Sequence, residues 1–145
     1  MAIKVSVALL ATALLTLAGT SPAAQSIDVY KSPSCGCCGK WIEHLKKAGF
    51  KVESHDVTDV SGTRAKLGMP HKYGSCHTAK VGNYVLEGHV PAADIKRLLK
   101  EKPKALGIAV PGMPAGSPGM DIPNSPSYET LLVQTDGTSS VFAKH

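Results

Sequence analysis

The chain has 145 residues, of which 43% are hydrophobic and 5% aromatic, and it contains four cysteines, ten prolines and fourteen glycines. Its formal net charge is +5, from 16 lysine and arginine residues against 11 aspartate and glutamate residues. The basic residues form neither a continuous run nor a face interleaved with aromatic side chains, so the sequence predicts no nucleic-acid partner. The length allows one domain of ordinary size with one core.

Residues 1–24 have the three parts of a secretory signal peptide. A single charge at Lys4 precedes an apolar run over 5–18, and small residues follow up to Ala24. The apolar run is shorter than the roughly 20 residues of a membrane-spanning helix. The alternative is an uncleaved N-terminal anchor. We expect cleavage after Ala23 or Ala24, which leaves an exported chain, residues 25–145, without a membrane attachment.

The periodicity of the next segments predicts elements in the order β-α-β-α-β-β-α. Trp41, Leu45 and Ala48 form an apolar helical stripe, and Gly49 follows as a C-terminal cap residue. The predicted strands are Ile27–Tyr30, Phe50–Val57, His77–Val81 and Tyr84–Glu87, and the predicted helices are Gly39–Ala48, a short one capped by Asp59 or Ser61, and Ala92–Glu101. The last two strands flank Gly82-Asn83, a two-residue hairpin turn. A cysteine loop between the first strand and helix completes the pattern of an α/β, thioredoxin-like domain.

The composition changes from about residue 103. Residues 110–123 form a Pro/Gly loop with two methionines, which is too poor in apolar residues to make its own core. Residues 128–134 and 140–144 then flank Asp136-Gly137 and predict a hairpin. We expect this C-terminal extension to lie on the domain or to be mobile.

The four cysteines are the residues that indicate which chemistry this chain performs. Cys35, Cys37 and Cys38 share one loop ahead of a helix N-terminus, which stabilises thiolates, and Cys76 lies far along the chain. The C-x-x-C spacing is typical of thiol–disulfide exchange, with Cys35 as nucleophile and Cys38 as resolving thiol. Two plain structural disulfides are the other alternative to a metal site, and would make the chain a stapled interaction module. The third clustered thiol is unhelpful in an exchange enzyme but suits a soft metal such as monovalent copper, zinc or an iron–sulfur cluster. A structural zinc site would normally have a second C-x-x-C pair, which the chain lacks.

Five separated motifs resemble the CopG-type periplasmic copper-resistance proteins, a thioredoxin-like metal-binding family long catalogued as a domain of unknown function. The motifs are residues 35–41 (CGCCGKW) with His44-Leu45, 74–78 (GSCHT), 87–91 (EGHVP), 109–114 (AVPGMP) and 116–120 (GSPGM). The resemblance implies a thioredoxin-like fold in which Cys35, Cys37, Cys38 and Cys76 hold a multinuclear copper cluster. It also implies a periplasmic role in copper resistance, with copper ions and copper-handling proteins as partners, and suggests copper redox cycling. The alternative is a periplasmic thiol–disulfide oxidoreductase that uses Cys35 and Cys38.

Met113 and Met120 are the remaining candidate ligands. Their place in a loop that cannot be core, together with the resemblance, favours ligation or gating of copper, with ordinary loop packing as the alternative. Among the histidines, His77 follows Cys76 and should point to the opposite face of its strand, which predicts a supporting or surface role. His89 is expected to order a turn, and Trp41 to be a core residue above the thiol loop.

Overall fold

The computed structural model describes residues 25–145, so the predicted signal peptide lies outside the described residues. Within that range, no helix is both long enough and apolar enough to cross a membrane.

Seven strands and three α-helices make up the described chain. Their bounds are β1 Ser26–Lys31, α1 Gly36–Lys47, β2 Lys51–Asp56, α2 Val60–Lys66, β3 His77–Val81, β4 Tyr84–Glu87, α3 Ala92–Glu101, β5 Gly107–Ala109, β6 Glu129–Val133 and β7 Ser139–Lys144, with a 3₁₀ turn at His71–Tyr73. All seven strands belong to one sheet in the order β2-β1-β3-β4-β5-β6-β7. The β1–β2 and β4–β5 pairs are parallel, and the other four pairs are antiparallel.

The predicted α/β class and the predicted element order up to α3 are confirmed. Asp59 is the residue that caps α2, because its Oδ1 accepts a hydrogen bond from Gly62 N at 2.8 Å. Helix α1 begins at Gly36, three residues before the predicted start, so Cys37 and Cys38 belong to its first turn. The prediction placed these cysteines in a loop because the apolar stripe that marks the helix begins only at Trp41.

The C-terminal hairpin is also present, and it is part of the sheet. Strand β5, which no sequence pattern predicted, has three residues and pairs with β4 on one side and with β6 on the other. This strand joins the hairpin β6–β7 to the rest of the sheet. The C-terminal extension therefore lies on the domain, which is one of the two outcomes expected from the sequence.

Apolar side chains cover both faces of the sheet. On one face, α1 and α3 pack through residues such as Trp41, Leu45 and Ile95 against Ile27, Val29 and other strand residues. On the other face, residues that follow α2, among them Met69 and Tyr73, pack with Val85, Ala109 and Val133. Because α1 is held on the sheet, its N-terminus is fixed next to the start of β3.

Candidate metal centre

The N-terminus of α1 presents three sulfur atoms. Cys35 is the N-cap residue, with an extended backbone, and its N–H donates to Ser32 O at 3.1 Å. No side chain caps this helix end, and no acidic residue lies in its first turn. The unpaired N–H groups and the partial positive charge of the helix therefore face the sulfurs, an arrangement that favours anionic thiolates.

The fourth sulfur reaches this helix end from the start of β3. Cys76 Sγ lies 3.5 Å from Cys38 Sγ and 3.9 Å from Cys37 Sγ, and Cys37 Sγ lies 3.5 Å from Cys35 Sγ. Cys35 and Cys38 form a disulfide, whereas Cys37 and Cys76 are free thiols. All four sulfurs lie within 4.8 Å of one another. A tetrahedral metal with metal–sulfur bonds of about 2.3 Å spaces its sulfurs by about 3.8 Å, so these separations would suit thiolates that share metal ions once the disulfide is reduced.

Two imidazole rings complete the cluster on the Cys76 side. His89 Nε2 lies 3.1 Å from Cys76 Sγ, and His77 Nδ1 lies 3.5 Å from the same atom. The opposite nitrogen of each ring donates to a backbone carbonyl, His77 Nε2 to Gly88 O at 2.9 Å and His89 Nδ1 to Pro118 O at 2.7 Å. A carbonyl only accepts hydrogen bonds, so the nitrogens that face Cys76 are unprotonated in both rings. Carbonyl-bound imidazoles with a free lone pair are typical metal-ligating histidines.

The prediction that His77 points away from Cys76 was wrong, whereas the supporting role predicted for it stays a prediction. His77 is fully buried and contacts Cys76, since β3 begins only at His77 and the strand alternation does not extend back to the cysteine. His89 is also fully buried, and it does more than order a turn. The signal that could have found it is the register of the β3–β4 hairpin, in which Thr78 pairs with Glu87. Two residues further from the turn, the same register places Cys76 opposite His89.

Burial keeps Cys76, His77 and His89 uncharged in the metal-free protein. Desolvation and the neighbouring Cys37 raise the pKa of Cys76 to about 12. Desolvation also lowers the pKa of His77 to about 3, with a further contribution from His89. The pKa of His89 is lowered by burial too, although the carbonyl of Pro118 opposes that shift. The site therefore contains a protonated thiol and neutral imidazoles until a cation displaces the thiol proton.

The Pro/Gly loop lies against this cluster at Pro118 and Gly119. Gly119 has a φ of +90°, and a Cβ added there would lie 2.9 Å from Cys37 O and from Trp41 N, both on α1. Met120 follows directly and is half-buried, whereas Met113 is 53% exposed. The loop thus covers the helix N-terminus, and ligation by the two methionines stays a prediction.

Trp41 and His44 lie on α1 and make hydrogen bonds that support the fold. Trp41 is fully buried, as predicted; its Nε1 donates to Val90 O at 2.8 Å, and its ring lies 4.2 Å from the His77 ring. His44 Nε2 accepts a hydrogen bond from Ala92 N at 3.0 Å, so it caps α3, which has Pro91 at its N-cap position and no cap from that residue. Burial lowers the pKa of His44, while Asp121 raises it and Lys47 adds a smaller lowering effect.

Comparisons with known proteins relate this chain to copper resistance proteins. Residues 73–120 match the family described as "Protein of unknown function, DUF411". Comparison with curated protein sequences gives no match. Two solved structures, copper resistance protein CopG in its form 2 and form 1, are each 44% identical to this chain; both matches cover 84% of this chain and 98% of the other, with TM-scores of 0.80 and 0.79.

The fold and the cluster thus define an α/β protein with a cysteine-rich metal centre. The chain belongs to the CopG family of copper resistance proteins, and its function is related to copper.

Proposed function

We propose that this protein is a periplasmic Cu(I)-binding protein of copper resistance. In the reduced state, the thiolates of Cys35, Cys37, Cys38 and Cys76 hold copper as the protein's cargo. The observation that carries the proposal is the convergence of all four sulfurs within 4.8 Å at one helix end. Soft thiolate ligands suit monovalent copper, zinc or an iron–sulfur cluster, and the similarity to copper resistance proteins favours copper among these.

The donor set supports more than one copper ion per chain. Four sulfurs and the two unprotonated imidazole nitrogens of His77 and His89 exceed the coordination number of a single Cu(I) ion. Cys37 and Cys38 are adjacent in the sequence, and their sulfurs lie 3.9 and 3.5 Å from the sulfur of Cys76. Thiolates at these separations act as bridges, and the imidazoles then serve as terminal ligands at the Cys76 end. The thioethers of Met113 and Met120 are additional ligands in this proposal.

A second candidate function rests on the disulfide between Cys35 and Cys38. Two thiols that can form a disulfide are a source of two electrons. When Cys35 and Cys38 are oxidised, two protons and two electrons leave, which reduces two Cu(II) ions to Cu(I) or opens one disulfide of a partner. The first reaction is copper redox cycling, and the second is the thiol–disulfide exchange of an oxidoreductase.

The test of copper binding is a Cu(I) titration of the reduced protein without oxygen, in competition with a chromogenic Cu(I) chelator. We expect Cys76→Ser to reduce the number of bound copper ions and to weaken binding at least about tenfold, or about 1.4 kcal/mol. Thiolate ligands must lose their protons, so loading should release protons and weaken in acid. His55→Ala is the matched control, because His55 is exposed and contacts Asp28 and Tyr30.

Full copper loading by Cys76→Ser with the affinity of the wild type would exclude Cys76 from the site. A wild-type protein that binds no Cu(I) but exchanges its Cys35–Cys38 disulfide with glutathione would favour the oxidoreductase. Expression with and without residues 1–24, followed by cell fractionation, tests the periplasmic location.

A further inference from the structure

The residue before Cys76 is held by an internal ion pair. Glu87 Oε1 accepts hydrogen bonds from Arg64 Nε at 2.7 Å and from Ser75 N at 2.8 Å. Arg64 Nη2 donates to Ser75 O at 2.6 Å. The hydroxyl of Ser75 donates to Gly112 O, so the N–H, carbonyl and hydroxyl groups of Ser75 are all engaged. The backbone that carries Cys76 is therefore fixed on the side away from β3.

Burial of this ion pair away from water costs free energy, which indicates that the pair has a role beyond packing. The side chains of Arg64 and Glu87 are only 5% and 0% exposed. The other carboxylate oxygen, Oε2, has no hydrogen-bond partner within residues 25–145. Buried ion pairs lose most of their hydration and often stabilise a fold no more than apolar residues of the same size. Here two of the three nitrogen atoms of the Arg64 side chain, Nε and Nη2, and Oε1 of Glu87 are directed to each other and to Ser75.

We propose that Arg64 and Glu87 are positioning residues for the metal centre, which hold Cys76 within bridging distance of Cys37 and Cys38. The proposal deepens the copper-binding function and rests on it. The pair acts through the backbone of Ser75, since neither charged group contacts a sulfur in the hydrogen bonds described. Without it, Cys76 keeps its connection to β3, but Ser75 loses two of the three hydrogen bonds that restrain it on the N-terminal side.

The test compares the wild type with the double variant Arg64→Met/Glu87→Met. Replacing both partners of a buried ion pair by apolar residues is often neutral for stability, whereas removal of one leaves an uncompensated charge. We expect the double variant to unfold close to the wild-type temperature but to bind Cu(I) at least about tenfold more weakly in chelator competition, about 1.4 kcal/mol. The absorption of its copper–thiolate complex should change as well.

A second measurement needs no copper. With the Cys35–Cys38 disulfide formed, only Cys37 and Cys76 react with iodoacetamide, and mass spectrometry gives the rate at each. We expect the Cys76-to-Cys37 rate ratio to rise at least about fivefold in the double variant, because the mobile thiol becomes more exposed. If the wild type binds no Cu(I), the copper-binding function fails, yet this ratio still tests the positioning.

Thr130→Val is the matched control for loss of a buried hydrogen bond. Thr130 is fully buried, and its hydroxyl donates to Asp94 Oδ2 at 2.6 Å rather than to the loop around Cys76. It should lower the unfolding temperature and leave both the rate ratio and the Cu(I) affinity unchanged. An unchanged ratio in the double variant would overturn the proposal. This holds even if both thiols react faster by the same factor, because the ratio is then unchanged and the role of the pair is reduced to general stability.

Discussion

Gly119 packs the Pro/Gly loop against α1, the helix whose N-terminal end holds three of the four cysteines. The substitution Gly119→Ala tests that contact. An added Cβ would lie 2.9 Å from Cys37 O and Trp41 N and 3.2 Å from His89 Nδ1. Two of these neighbours are backbone atoms of α1, which cannot rotate away. Gly112 offers a matched control in the same loop, because its φ is also positive, at +68°, and a Cβ there would meet nothing within 4 Å.

Both substitutions strain the backbone, but only Gly119→Ala also forces a side chain against neighbouring atoms. An alanine in the left-handed region costs roughly 1–2 kcal/mol, which applies at both positions. Overpacking against atoms that cannot move adds about 1–3 kcal/mol at Gly119 alone. We therefore expect Gly119→Ala to lower the free energy of unfolding by about 2–5 kcal/mol and Gly112→Ala by about 1–2 kcal/mol.

Urea denaturation of the metal-free, reduced proteins measures this difference. A second measurement is the rate at which a chelator removes Cu(I), which should rise more for Gly119→Ala because the Pro118–His89 hydrogen bond moves with the loop. Equal losses of stability at the two glycines would refute the argument, since the loop would then make no close contact with α1.

Two further predictions concern the loop and the first helix. Met113→Ala combined with Met120→Ala should speed Cu(I) removal by a chelator with little change in melting temperature, because the loop adds little to the core and thioether ligands suit Cu(I); a lower melting temperature with unchanged copper release would show that the methionines are packing residues. His44→Ala should cost about 1 kcal/mol of stability at pH 8, as does loss of a helix cap. The pKa of His44 is lowered in the folded protein, so this contribution is present above the ordinary histidine pKa of about 6.5 and disappears as the pH falls through the folded value. Urea midpoints of both proteins from pH 8 to pH 5 should converge, and parallel curves would exclude the cap.

The predictable part of this fold is the part with local signals. The hairpin turns, the apolar stripe of α1 and the cap at Asp59 are all encoded within a few residues, and the structure confirms them. Strand β5 has only three residues, Gly107–Ala109, and pairs with strands that lie far from it in sequence. A strand this short has too few residues to show an alternating pattern.

The same distinction applies to the metal centre. The four cysteines were predicted to converge, and their sulfurs do lie together. The contacts of His77 and His89 depend on how β3 and β4 end, and on carbonyl groups at Gly88 and Pro118 that fix the rings. Sequence periodicity contains no information on which ring nitrogen a backbone carbonyl binds.

In the proposed copper site, the division of the ligands between local and distant segments determines how copper and folding influence each other. Cys35, Cys37 and Cys38 lie within four consecutive residues, so an unfolded chain already offers these three thiols to copper. Cys76, His77 and His89 join them only when β3 and β4 pair and dock beside α1. A ligand stabilises the native state only by the difference between its affinities for the folded and unfolded chains. The gain in stability on loading with copper should therefore measure the contribution of Cys76 and the two imidazoles, rather than that of the whole centre.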